Sequence, residues 1–125
     1  MTSFKNFIGG KWVDAKSGKT FPNTNPADRS DVIGEFPASG PADVEAAVSA
    51  AKKAFPAWSA MPIKQRVQVF FKYKALLEKH IDELAALVTE ENGKIASEAR
   101  AEIEKAAELC EFACSLPQIA TGEVL

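Results

Sequence analysis

The spacing of apolar residues changes near residue 40, and that change constrains the fold of this 125-residue chain more than any other feature. Before it, apolar residues come in runs of two or three that glycine and proline interrupt, and such runs are long enough only for short strands. Asn6-Phe7-Ile8 and Lys11-Trp12-Val13 flank Gly9-Gly10, the pattern of a hairpin of two short strands around a Gly-Gly turn. Ser17-Gly18 marks a second turn, and Pro22 to Pro26 reads as a rigid, irregular link. Asp28 to Asp31 reads as a further turn before a short strand, Val32-Ile33-Gly34-Glu35-Phe36. Strands this short and few need another surface to lie on.

Beyond residue 40 the period is helical. Pro41 suits a first helical position, and Asp43 and Glu45 favour the positive end of a helix. Val44, Ala47, Val48, Ala51 and Phe55 then form one apolar stripe, which Pro56 is expected to end. A second helix should start at Pro62 and turn Val67, Phe70, Leu76 and Leu77 inward, with Tyr73 on the same side. A third, from Ile81 to Glu91, uses Leu84, Leu87 and Val88, and Asn92-Gly93 supplies its left-handed stop. The last runs from Ile95 to Pro117 with Ala99, Ile103, Ala106, Cys110 and Ala113 on one face. The expected class is α+β: short N-terminal strands and hairpins (1–38, β-rich), then about four amphipathic helices (39–120). Thr121-Gly122-Glu123-Val124-Leu125 resembles the start of a strand, so the chain reads as cut from something longer.

Composition narrows the class of function. With 46% hydrophobic and 26% charged residues the chain is in the globular range, and a net charge of −2 gives no basic field for nucleic acid. No window reaches the roughly 18 consecutive apolar residues of a membrane span. The N-terminus lacks a secretory pattern, and two cysteines in a helical segment look like reduced thiols, so a cytoplasmic location is expected.

The residues that invite a catalytic role all have plainer readings. Cys110 and Cys114 lie one turn apart, late in a helix, where the dipole disfavours a thiolate; they read as small packing groups, and no zinc set accompanies them. His80, the single histidine, falls at a helix end and reads as solvated. Gly9-Gly10-Lys11 and Asn92-Gly93-Lys94 lack the longer loop of a phosphate cradle. Phe70, Phe71 and Tyr73 have helical spacing and suit a core or a domain interface better than base stacking.

Several segments, in order, resemble the start of the aldehyde dehydrogenase superfamily. They are Phe7 to Val13, Asn25-Pro26-Ala27 with Val32-Ile33-Gly34, Asp43 to Phe55 with Trp58, Arg66, and Glu91-Asn92-Gly93-Lys94 with Glu98-Ala99. The resemblance implies part of the Rossmann-like coenzyme-binding domain of an α/β enzyme, and residues 1–125 as its N-terminal part. Such enzymes oxidise an aldehyde with NAD or NADP through a cysteine thioester, aided by a glutamate and an asparagine. Those groups lie beyond a stretch of this length, so the resemblance puts no catalytic or cofactor-binding residue here and leaves the chain alone inactive. Its implied partners are the rest of the enzyme, a small-molecule aldehyde and further copies in a homo-oligomer, with neither nucleic acid nor membrane.

Glu111 to Pro117, with Gly122-Glu123, resembles the branch typified by methylmalonate-semialdehyde dehydrogenase, which passes the acyl group to coenzyme A. In that branch an arginine six residues before this glutamate helps to hold the substrate carboxylate. Here the position is Lys105, which keeps the charge but loses the planar fork, so methylmalonate semialdehyde itself is in question. The resemblance also offers Glu91 and the carbonyls of Asn23 and Thr24 as oxygen ligands for a monovalent cation. A free-standing helical interaction or oligomerisation module is the alternative; it should expose no large apolar patch.

Overall fold

The computed structural model describes residues 2–120 and 122, which group into two compact units, 1–58 and 59–125. The first holds two antiparallel hairpins. Strand β1 (Asn6–Ile8) pairs with β2 (Lys11–Val13), and Gly9 and Gly10, at φ 60° and 80°, make the turn between them as expected. Strand β3 (Thr20–Asn25) pairs with β4 (Asp28–Pro37).

This second hairpin corrects two expectations. The segment from Pro22 is a strand, not an irregular link. Pro22 stands opposite Glu35, whose backbone N–H and C=O both point the other way, to Thr2 O and Phe4 N at 2.9 Å. The Pro22–Glu35 pair is therefore a non-hydrogen-bonded one, where a residue without an N–H costs nothing. The turn is also tighter than expected and lies at Pro26-Ala27, so β4 already begins at Asp28. Proline presets φ there, and Asn25 Oδ1 accepts the Ala27 N–H at 2.9 Å. Gly34 lets the N-terminal segment approach: a Cβ there would lie 2.6 Å from the Phe4 ring and 2.7 Å from Thr2 O.

Helix α1 (Pro41–Ala60) follows, with Gly40 before it. Pro56 does not end it. A proline removes one donor and crowds one carbonyl, here that of the exposed Lys52, but the residues after it keep their own donors. The helix therefore continues for another turn. Its apolar stripe is open: Val44 is 61% and Phe55 64% exposed.

In the second unit, α2 (Ile63–Lys79) and α3 (Ile81–Asn92) both pack on α4 (Ala96–Cys114), and a short α5 (Leu116–Ile119) follows. The last helical stretch is thus broken at Ser115, and the helix that resumes carries Pro117 in its first turn, where proline fits. His80 joins α2 to α3 alone: its N–H donates to Leu76 O at 3.1 Å and its carbonyl accepts from Leu84 N at 2.9 Å. Gly93, at φ 78°, caps α3 as the sequence indicates. Val67, Leu77, Ala85, Ala99 and Ala107 are the buried apolar residues; small side chains on α4 let the helices close on it. Leu76, expected inside, is 53% exposed, and Tyr73 and Leu87 are exposed too. Of the strand expected at the end of the chain, Thr121 and Glu123 to Leu125 lie outside the described residues.

Candidate functional site

The most constrained polar group is Asp43, and the sequence showed only its helix-start position. Its carboxylate is buried and accepts the Gly40 N–H at 2.9 Å and the Lys16 N–H at 2.8 Å. The first bond is the reciprocal half of a capping box; the second fixes the turn that leads into β3. These bonds, the Gly40 one foremost, hold the carboxyl below the usual aspartate range. A long-range partner such as Lys16 leaves no local signature in the sequence.

Asp43 also decides whether this chain can hold a dinucleotide. A Rossmann site needs parallel strands and a glycine turn that presents free N–H groups at a helix start. Here the named strands pair antiparallel, Gly9-Gly10 sits in a hairpin and Gly93 caps a helix C-terminus. The α1 start, the strand-to-helix junction after β4, already carries the Asp43 carboxylate. A phosphate would meet a like charge there. The described residues do not fit the coenzyme, and no step is routed through it in this chain.

Lys105 projects from α4 and pairs with Glu108 at 2.7 Å; both side chains are well exposed, so the pair costs little to exchange for another carboxylate. Glu91 lies exposed in the last turn of α3, in the second unit. Asn23 and Thr24 lie on β3 in the first unit, where the pairing register shifts at Thr24. Among the described residues no three His, Cys, Asp or Glu side chains cluster as metal ligands. Cys110 and Cys114 are half-buried free thiols. His80 Nδ1 meets Glu83 at 2.9 Å, beside an open cleft of about 330 Å³ lined by Tyr73, Leu76, Leu77 and Leu84. That cleft is a largely apolar surface in which His80 and Glu83 are already paired with each other.

Among the described residues, two buried side-chain polar atoms lack a hydrogen-bond partner: Arg66 Nε on α2 and Thr89 Oγ1 on α3. Leaving such a group unsatisfied costs about 1–3 kcal/mol. Arg66 is among the residues that carry the family resemblance; Thr89 has no sequence signal.

Comparison with known proteins settles the lineage. The model of the aldehyde dehydrogenase family matches residues 12–125. The chain belongs to that family. Malonate-semialdehyde dehydrogenase from Lacticaseibacillus casei is 48% identical over 98% of the chain, and malonate-semialdehyde dehydrogenase 3 from Geobacillus kaustophilus 43% identical over 98%. A solved chain from Sinorhizobium meliloti 1021, assigned to methylmalonate-semialdehyde dehydrogenase and complexed with NAD, matches 98% of this chain at 36% identity and a TM-score of 0.90. This aldehyde dehydrogenase chain spans about a quarter of the length of each of these relatives, 25% in every case. The likeness to the semialdehyde dehydrogenases agrees with the branch to which Glu111 to Pro117 pointed. No helix among the described residues is long and apolar enough to cross a membrane.

Proposed function

We propose that this chain is a structural segment of an NAD(P)-dependent aldehyde dehydrogenase and carries none of the groups that perform the oxidation. One observation carries the reading: the chain buries almost nothing large. Among the described residues the buried apolar ones are Ala15, Val67, Leu77, Ala85, Ala99 and Ala107, and none of the large side chains is fully enclosed. Nineteen large apolar side chains stand exposed among the described residues. Full burial of one is worth roughly 1.5–3 kcal/mol, so three or four of them already match the net stability of a whole domain. The partnerless Arg66 Nε and Thr89 Oγ1 fit the same account. A self-sufficient interaction module would not leave this much unmet.

In the whole enzyme the substrate is an aldehyde that bears a carboxylate, as in the semialdehydes named for its relatives, and Lys105 contacts that carboxylate. A single ammonium gives up the two-point grip of a guanidinium, so selectivity among such aldehydes should be looser. Coenzyme A accepts the acyl group. Glu91 and the carbonyls of Asn23 and Thr24 offer hard oxygen donors for a monovalent cation.

The test joins the chain to the polypeptide encoded beyond Leu125. The isolated chain should give no aldehyde-dependent NADH, and the joined protein should, with CoA-dependent turnover. Lys105→Gln in the joined protein should raise KM for a semialdehyde acid while leaving KM for an uncharged aldehyde of similar size unchanged. Aldehyde oxidation by the isolated chain would overturn the scaffold reading. Equal KM changes for both aldehydes would remove Lys105 from the site.

A further inference from the structure

The chain's two thiols have a spacing that selects their chemistry. Cys110 and Cys114 are both on α4, one turn apart, half-buried and not bonded to each other. Side chains at this spacing have Cβ atoms about 5–6 Å apart, pointing the same way from one helix face. A disulfide needs about 3.5–4.5 Å between Cβ atoms, so the helix holds these thiols too far apart to oxidise to each other. A linear two-coordinate centre spans more: two metal–sulfur bonds, each no longer than the roughly 2.3 Å of a four-coordinate zinc thiolate, separate the sulfurs by up to about 4.6 Å, within rotamer reach of Cβ atoms at helical spacing.

A tetrahedral ion is not served here, because among the described residues no third His, Cys, Asp or Glu joins the thiols to make a metal cluster. Thiolate ligands and low coordination number together select a soft monovalent d¹⁰ cation. We propose that Cys110 and Cys114 form a two-thiolate chelate for such a cation, with Cu(I) as its representative; the cation's own charge deprotonates the thiols and offsets the unfavourable dipole at this end of α4. The cation bonds to both sulfurs, two S–H protons leave to solvent, and no atom changes oxidation state. Glu108 and Glu111 on the same helix favour a cation nearby, although Lys105 and Lys74 pair with them.

The test is titration of the reduced chain with Cu(I) under anaerobic conditions against a chromogenic chelator, followed by the thiolate-to-copper absorption in the near ultraviolet. One Cu(I) per chain is expected. Cys110→Ser and Cys114→Ser should each weaken binding by about 100-fold or more, since the second thiol acts at an effective concentration in the millimolar range or above. A register control keeps two thiols but moves one: Phe112→Cys combined with Cys114→Ser places them on opposite sides of the helix. It should bind no better than the single-thiol variants, provided its far-UV helicity matches the parent chain. Single-thiol affinity equal to the parent's, or full affinity in the register variant, would overturn the chelate. A second readout needs no variant: mild oxidation should leave both thiols alkylatable within the monomer. Ready formation of an intramolecular disulfide would refute the spacing on which the site rests.

Discussion

Gly34→Ala tests how the N-terminal segment is held. The new methyl would sit 2.6 Å from a Phe4 ring carbon and 2.7 Å from the Thr2 carbonyl oxygen, both far inside van der Waals contact. The ring cannot simply turn aside, because it stacks on Phe36 at 4.3 Å. Detaching Thr2 to Phe4 relieves the clash but gives up two backbone hydrogen bonds, Phe4 N–H to Glu35 O and Glu35 N–H to Thr2 O, both 2.9 Å. At about 0.5–1.5 kcal/mol each, with a similar amount for the ring pair, detachment costs at most about 4.5 kcal/mol. Forced accommodation of an extra methyl costs about 1–3 kcal/mol, so the cheaper of the two routes sets the expected loss at about 1–3 kcal/mol. Amide hydrogen exchange reads this locally. Protection of Phe4 and Glu35 should fall by at least about fivefold, with each 1.4 kcal/mol worth a factor of ten, while the β1–β2 hairpin is unchanged. Adding Phe4→Ala should not rescue it, because the carbonyl contact remains. Full protection of both amides in the alanine variant would refute the packing.

Other outcomes follow from the same physics. Ala99 has no exposed surface, so Ala99→Leu should destabilise the second unit by about 1–3 kcal/mol in a denaturant titration, whereas Ala101→Leu on the exposed side of α4 should change little. The Asp43 carboxyl is held below its ordinary value by the Gly40 and Lys16 N–H groups, so its contribution is present above the unfolded pKa near about 3.9 and is lost as pH falls through the lower folded value. Protection of the Gly40 and Lys16 amides should therefore drop on acidification below about pH 4, and Asp43→Asn should abolish that acid step. An acid step of the same size in the asparagine variant would assign it to another group.

The parts legible in the sequence are those fixed by local stereochemistry. Gly9-Gly10 and Gly93 demand left-handed backbone, and the structure puts the β1–β2 turn and the α3 stop there. The strand at Pro22 is not legible locally, because its acceptability depends on register: opposite Glu35 its missing N–H is harmless, and no local pattern reveals the partner. The helix runs past Pro56 because the restriction on the residue before proline leaves the donors after it intact. Leu76 and Tyr73 follow a helical period yet stand exposed, since α2 has more than one apolar side and α4 covers only one. The proposed site residues come from the resemblance alone. Lys105 is an exposed lysine on an exposed helix face, and nothing in its own surroundings marks it as a substrate contact.

The central claim is that the open apolar faces belong against the rest of an aldehyde dehydrogenase. Amide hydrogen exchange across Val44 to Trp58 of α1, in the isolated chain and in the protein joined to its downstream sequence, tests it most directly. The scaffold account requires protection to rise by at least about 100-fold in the joined protein, because burial of two side chains such as Val48 and Phe55 at roughly 1.5–3 kcal/mol each is more than enough for that factor. Equal protection in the two forms would mean that these faces meet nothing, and would contradict the account.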